Sequence, residues 1–382
     1  MIGRAPGAAE GGTVALVVSP HAASDQATVP PRELLQKVGL QVTEQLDVAE
    51  AASDIRAGKR WRRSRHRAVV AAGGDGTIGT TAGLLLGTGI PLGILPMGTS
   101  NDVARALEIP FDLSEAAAAI AAGVPARMDV GVVELLPGDG ERETSWRRRL
   151  GVPESLWPRS PADSLCFLHA ATLGLNVEFA RLATDASRRA ALGSLTYPAA
   201  SLEALAHMQA IPVKLRLSGV PGRARPHGGS APESRWQVNV STEVLQLAVI
   251  NTPLFGGGLN LSLPGVDAHD ELLDVFLVEP PTLEKGLETV RALMERLGAP
   301  WRWLKTPPKR RGRKDRERQT VAISGEMVFP GIRRYQAREV SIETASPLEV
   351  TLDGELRAHT PVRIRVAPAH VAVLLPIPTA PR

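Results

Sequence analysis

Glycines, hydroxyl residues and acids gather at three places in this chain of 382 residues. The first is Gly73-Gly74-Asp75-Gly76-Thr77, which follows the apolar run Ala68-Val69-Val70-Ala71-Ala72. That run reads as a buried strand bounded by turn residues. Glycines let a ligand approach the backbone closely, and successive N–H groups can form a nest for an anion. An aspartate in such a nest repels a phosphate unless a cation lies between them, so Asp75 points to a metal as well. The second place is Met97-Gly98-Thr99-Ser100-Asn101-Asp102, after the strand-like Pro91 to Pro96 and before Val103-Ala104-Arg105-Ala106-Leu107. Two strand–glycine–helix units in tandem suit a nucleotide triphosphate, with a metal between carboxylate and phosphate. The third, Asp353-Gly354-Glu355, sets two acids together at a hairpin-like corner. Such acids can take a proton from a hydroxyl, and they would titrate as a pair.

GGDGT at 73–77, followed by LPMGTSNDVARAL at 95–107, resembles the diacylglycerol kinase catalytic domain family, which includes bacterial lipid kinases and sphingosine kinases. NAD kinases also carry GGDGT, but the Leu-Gly-Phe-Leu-type segment expected of them is missing. The resemblance implies an ATP-dependent lipid kinase that phosphorylates a hydroxyl of diacylglycerol, a sphingoid base or another lipid. It implies that Gly73, Gly74, Asp75, Gly76, Thr77, Ile78 and Gly79 hold the nucleotide with Gly98, Thr99 and Asn101. Ser19 in the first loop and Thr43 would join them. Asp75, Asp102 and Asp129 would hold a catalytic Mg²⁺, directly or through water, and Asp353 or Glu355 would be the base.

Further along, Asn251 to Gly258 resembles the family's Asn-x-x-x-x-Gly-Gly-Gly loop, and Asp270-Glu271-Leu272-Leu273-Asp274 its Asp-Gly-x-Leu-Asp segment. The family binds a structural Mg²⁺ there, which implies Asp270 as carboxylate and Asp267 and Leu272 as carbonyl donors. Three positions depart from the pattern. Ser19 stands where the family has Asn, His169 replaces another Asn, and Glu271 replaces glycine. They keep open a catalytically weak lipid-binding regulatory protein, with an NAD-kinase-like small-molecule kinase as the other alternative.

Strand-like Thr13 to Val18, a helix from Pro30, strand-like Leu40 to Glu44 and helix-like Ala49 to Ile55 precede the first glycine turn. Helices are expected over Ile78 to Leu86 and Ala116 to Ala122, the latter closed by Gly123. Alternating strands and helices predict a parallel-sheet α/β nucleotide-binding domain over residues 1–130, with ligands beyond the carboxyl ends of its strands. From Arg127 onward the pattern becomes strands between Pro/Gly-rich loops. This predicts a β-rich, sandwich-like lipid-substrate domain over 131–375, and an active site in the cleft between the two. Residues 137–163 and 220–234 read as insertions, and Pro281 to Leu297 as an amphipathic helix. Trp301 and Trp303 beside the basic run at 305–318 suit a membrane interface.

The length suits two domains, and 43% apolar residues suit a soluble globular chain. A single cysteine, Cys166, excludes an internal disulfide framework. Neither a signal peptide nor an apolar run of the roughly 20 residues needed to span a bilayer is evident, which predicts a cytoplasmic protein. Net charge is only +4. Basic clusters at 59–67, 147–149, 305–318 and 333–338 could still bring it to the surface of an anionic membrane. No nucleic-acid motif accompanies them. The expected partners are thus a nucleotide and a lipid at the membrane surface, with a homodimer left open.

Overall fold

The computed structural model describes residues 12–19, 29–53, 61, 66–98, 100–136, 165–175, 177, 209–221, 237–255, 261–280, 326–329 and 331–377. Strands β1 (Thr13–Val18), β3 (Ala68–Gly73) and β4 (Leu92–Pro96) are almost wholly apolar and buried. Such runs suit parallel strands covered on both faces. They do run parallel, with β2 (Gln41–Asp47) beside β1. Helices α1 (Pro31–Lys37), α2 (Val48–Ser53), α3 (Asp75–Leu85), α4 (Asp102–Ala106) and α5 (Leu113–Ala122) connect or flank them. Asp112 caps α5 by accepting from the N–H groups of Ser114 and Glu115, and Leu16, Ile78, Leu85 and Ile120 are fully buried in the shared core.

The first sheet has the order β2-β1-β3-β4-β21-β5, where β5 is Val124–Met128 and β21 is Val371–Leu375. From β1 the chain turns one way to β2 and then crosses to β3 on the other side. The carboxyl ends of β1 and β3 therefore form a switch point, where a crevice opens for ligand. Strand β21 pairs antiparallel with β5 in the register Val371↔Met128, and it meets β4 on its other side. The closing strand, expected as part of the second domain over 131–375, thus lies in the first sheet. Its apolar residues Val371, Val373 and Leu374 bury in the first core; their pattern fits either core, so only the pairing decides.

Strand β12 (Leu254–Phe255) pairs with β13 (Leu261–Ser262) in a small two-stranded sheet, and two larger antiparallel sheets form the sandwich. One runs β10 (Gln237–Val244), β9 (Ile211–Ser218), β17 (Glu339–Thr344), β20 (Val362–Val366), β6 (Gly131–Leu135) and β7 (Leu165–Phe167). The other runs β15 (Glu326–Phe329), β16 (Ile332–Ala337), β14 (Leu273–Val278), β11 (Gln246–Ile250), β8 (Ala170–Gly174), β18 (Glu349–Leu352) and β19 (Glu355–His359). Alternation in β9 turns Val213, Leu215 and Leu217 toward Leu247, Val249, Val275 and Leu277 of the other sheet. The result is the expected sandwich. The chain passes between the two parts at 129–130 and 367–370, and Ala367 N–H donates to the Val130 carbonyl at 2.8 Å, lacing the crossings together.

The insertions at 137–163 and 222–234, the Gly256-Gly257-Gly258 loop, the helix expected at 281–297, Trp301, Trp303 and Thr99 lie outside the described residues. No helix among the described residues is long and apolar enough to cross a membrane.

Candidate active site

Helix α3 begins where β3 ends. Gly74 caps it in an extended conformation and accepts hydrogen bonds from the N–H groups of Thr77 and Ile78. The two glycine turns lie backbone against backbone: a Cβ on Gly98 would sit 2.4 Å from Gly74 Cα, and Met97 N–H donates to the Gly73 carbonyl at 2.9 Å. Gly98 cannot carry a side chain while the turns stay this close, and a Cβ on Gly74 would press on Gly98 Cα at 3.3 Å.

Asp75 ties the turns together. Its Oδ2 accepts from Asp102 N–H and its Oδ1 from Val103 N–H, both at 2.9 Å. An anion at a helix start is favoured by the free N–H groups and the dipole there. The residue before that helix, Asn101, is left-handed at φ 50° and bonds back to both the N–H and the carbonyl of Gly98. Ser19 N–H donates to the Ala72 carbonyl at 3.0 Å, which sets Ser19 at the switch point beside Gly73. Seven of the expected nucleotide residues, Gly73 to Gly79, thus lie in one continuous turn and helix start, with Gly98, Asn101 and Ser19 around it.

Thr43 is not with them. It lies in the first half of β2, where its hydroxyl bonds to His66 Nε2 at 2.8 Å and contacts the Val14 carbonyl at 3.3 Å. The residue that reaches the carboxyl end of β2 is Asp47, opposite Val18. Strand β2 runs three residues beyond the expected Glu44 and passes straight into α2, so the polar group at the crevice comes four positions later than Thr43.

The sandwich supplies the other wall. Asp353 and Gly354 both have positive φ, 48° and 81°, as a two-residue hairpin between twisted strands requires. The Asp353 carboxylate turns inward and is fixed from three directions. Its Oδ2 accepts from Leu168 N–H at 3.0 Å, and its Oδ1 from His169 and Ala170 N–H at 2.8 and 3.1 Å. Glu355 points out and is about half exposed, with its carboxylate against the glycine turn: a Cβ on Gly76 would lie 2.1 Å from its Oε1. Residues 279 positions apart in sequence thus meet here; of the two candidate bases, Asp353 is buried with its Oδ2 against Gly79, and Glu355 is the exposed one, against Gly76.

Arg357, which no sequence motif marked, braces this wall. Its Nε and NH2 donate to Glu355 Oε2 at 3.0 and 2.7 Å, while NH1 reaches Thr80 Oγ1 at 2.7 Å. His169 brings a neutral imidazole to the same region. Burial pushes its pKa down to about 4, its Nδ1 is 2.6 Å from Thr252 Oγ1, and its Nε2 is 3.7 Å from Asp102 Oδ2.

Burial, aided by the charges of Asp102 and Glu355, pushes the Asp75 carboxyl up to about 6. Burial and the charge of Asp75 push Asp353 up to about 7, against the pull of its backbone donors. The three expected metal aspartates divide. Asp75 and Asp102 adjoin, but Asp129 belongs with the 267–272 turn, where its Oδ2 accepts from Glu271 N–H at 2.7 Å. Burial raises the pKa of Asp129 and of Asp270, and the neighbouring charge of Asp267 adds to both shifts. Asp129, Asp267 and Asp270 are therefore one acidic group, around a turn in which Glu271 is left-handed at φ 58°. Asp270 Oδ1 holds Leu272 N–H at 2.9 Å. Among the described residues no three His, Cys, Asp or Glu side chains converge closely enough to form a metal site by themselves. The basic residues at 333–338 are largely engaged in ion pairs: Arg333 with Glu279, Arg334 with Asp274 and Arg338 with Glu271.

Two glycine turns meet at a parallel-sheet switch point and are closed by an acid from a β-sandwich. Residues 13–133 match the sequence model of the diacylglycerol kinase catalytic domain, and residues 170–296 that of the YegS C-terminal NAD kinase beta sandwich-like domain. The two parts of the chain thus resemble, over residues 13–133 and 170–296, the domains of the diacylglycerol kinase family. It is 28% identical over 314 residues to a "probable lipid kinase YegS-like" protein of Stenotrophomonas maltophilia, a match spanning 81% of this chain and 78% of the relative. It is 25% identical over 312 residues to a diacylglycerol kinase of Mycobacterium tuberculosis, spanning 81% and 77% of the two chains. The fold is shared with the crystal structure of a diacylglycerol kinase from Bacillus anthracis, with a TM-score of 0.54 at 20% identity over 95% of this chain and 96% of that one.

Proposed function

We propose that the protein transfers the γ-phosphoryl group of ATP to a hydroxyl of a lipid such as diacylglycerol or a sphingoid base, with Glu355 as the general base. The observation that carries this reading is the contact of the Glu355 carboxylate with Gly76, inside the turn that cradles phosphate. Phosphoryl transfer asks a protein chiefly for positioning and charge neutralisation. The N–H groups at the start of α3 and its dipole favour the phosphate charge. Glu355 accepts the proton of the lipid hydroxyl as that oxygen bonds to the γ-phosphorus. The bond from the γ-phosphorus to the β–γ bridging oxygen breaks, and ADP leaves with the electron pair.

Asp353, held by three N–H groups and buried, shapes the hairpin that presents Glu355. Hard carboxylate oxygens suit Mg²⁺, and the crowding of Asp75, Asp102 and Glu355 that raises the Asp75 pKa favours a cation there. Asp102 would hold it directly, and Asp75, whose oxygens already accept N–H groups, through water; bound there, the ion would offset phosphate charge. Asp129 fits a separate, structural ion with Asp267 and Asp270. The lipid reaches the cleft from the membrane surface, with the protein peripheral to it.

Purified protein with γ-labelled ATP, Mg²⁺ and micelles of dioleoylglycerol or sphinganine tests the reading. Glu355→Gln is expected to lower turnover by on the order of 10²–10⁴-fold, the usual yield of a general base. Undiminished turnover in that variant refutes the assignment, and label in neither lipid refutes the acceptor class.

A further inference from the structure

We infer that Arg357 is the positioning residue of the site: it carries Glu355 to the glycine turn and fastens the sandwich hairpin to α3. The inference rests on the reading of Glu355 as the base, and it begins with a defect in the hairpin. Strand β18 pairs Val350 with Ala358 and Thr351 with Leu356, which leaves Arg357 as an extra residue with no partner across the ladder. Such a bulge bends a strand and re-aims a side chain, and bulges are frequent beside active sites. Strand β19 is also the last in its sheet, with no strand among the described residues paired beyond it.

The re-aimed guanidinium is only 12% exposed, and its donors are divided between the two domains. On its own strand, Nε and NH2 both bind Glu355 Oε2. Across the cleft, NH1 binds Thr80 Oγ1 at 2.7 Å and NH2 reaches the Gly76 carbonyl at 3.3 Å. Thr80 Oγ1 in turn donates to the same Gly76 carbonyl at 2.8 Å. One planar group therefore measures the distance from the base to the turn that receives phosphate. Neither guanidinium bond uses Glu355 Oε1, the nearer of its two oxygens to the Gly76 Cβ position, at 2.1 Å against 2.4 Å for Oε2. The fork leaves that atom to face the reacting hydroxyl. A lysine, one point charge on a flexible stem, cannot reproduce the planar fork.

The test uses the whole 382-residue chain, γ-labelled ATP and dioleoylglycerol or sphinganine micelles, with five variants. Arg357→Met is expected to lower kcat by about 100-fold, the scale of a misplacement near 1 Å, with KM for ATP unchanged. Arg357→Lys restores part of kcat, and Thr80→Val loses less than Arg357→Met. The double variant Glu355→Gln/Arg357→Met is no slower than Glu355→Gln alone, because Arg357 acts through Glu355. Wild-type kcat in Arg357→Met, or losses that multiply in the double variant, overturn the proposal while leaving the base assignment intact. Full activity in Glu355→Gln instead overturns the base assignment and this inference with it. A readout without a lipid acceptor runs in parallel: amide hydrogen exchange at 76–80 is expected to speed up several-fold in Arg357→Met and to stay unchanged in Glu355→Gln. Unchanged exchange in Arg357→Met refutes the fastening.

Discussion

Gly76 and Gly79 lie three residues apart on one helix, and the same substitution at each is expected to have opposite consequences. A glycine-to-alanine change inside a helix ordinarily gains roughly 0.5–1 kcal/mol. At Gly79 the new Cβ would lie 2.5 Å from Asp353 Oδ2, which must retreat by about 0.9 Å to reach ordinary contact at 3.4 Å. That oxygen is held by Leu168 N–H, and the carboxylate also by His169 and Ala170. Hydrogen bonds to a charged group contribute about 1.5–3 kcal/mol each, so disturbing one outweighs the helix gain. Gly79→Ala is therefore expected to be about 1–2 kcal/mol less stable than the wild type. At Gly76 the obstacle is the end of the Glu355 side chain, 2.1 Å from the Cβ position; it is tied to Arg357 but half exposed, and can swing toward solvent. Gly76→Ala is expected to stay within about 1 kcal/mol of wild-type stability while losing about 100-fold in kcat. Urea denaturation followed by fluorescence gives the stabilities, and labelled-ATP transfer gives the rates. Equal stability of the two variants, or full activity in Gly76→Ala, refutes the reasoning.

Asp353 makes stability depend on pH with a definite sign. Its folded pKa of about 7 lies above an unfolded value near 3.9. Its contribution is fully present below about pH 4 and is lost as pH rises toward 7. Asp75, raised to about 6, acts in the same direction over pH 4–6. Asp353→Asn should flatten that decline, seen as a smaller difference between urea midpoints at pH 5 and pH 8. Asp75→Asn keeps one acceptor for two N–H groups and should destabilise the protein by about 1–3 kcal/mol, measured by the same denaturation. Arg334→Met strips the nearly inaccessible Asp274 of its ion-pair partner and should destabilise by about 3–5 kcal/mol. Thr43→Val, in contrast, should leave KM for ATP unchanged, because the hydroxyl bonds to His66 away from the crevice.

What could be read from the chain was local. Each glycine turn carries its signal within a few residues, so strand, turn and helix were legible at 68–85 and again at 91–107. Asp75 was legible as an odd acid, but not its partners, the N–H groups of Asp102 and Val103, because they come from the other turn. Thr43 lies short of the crevice because β2 runs on to Asp47: no turn residue separates Asp47 from α2, so nothing in the sequence marks the strand's end. Asp129 carries the same chemistry as Asp102, and only the approach of Glu271 N–H assigns it to another group. The choice between Asp353 and Glu355 rests on which way each side chain faces across a two-residue turn. Arg357 had no motif, although an arginine two positions beyond an acid on a strand is a signal that can be sought.

The position of β21 has a consequence for how the protein comes into being. This strand lies between β4 and β5, yet it is made from residues 371–375, near the end of the chain. While a ribosome is still producing the sandwich, the nascent first domain has an open seam, with β5 lacking the strand that joins it to β4. Assembly of the first domain therefore waits until residue 375 has been made, and a chain lacking 371–375 is left with exposed strand edges of the kind that aggregate.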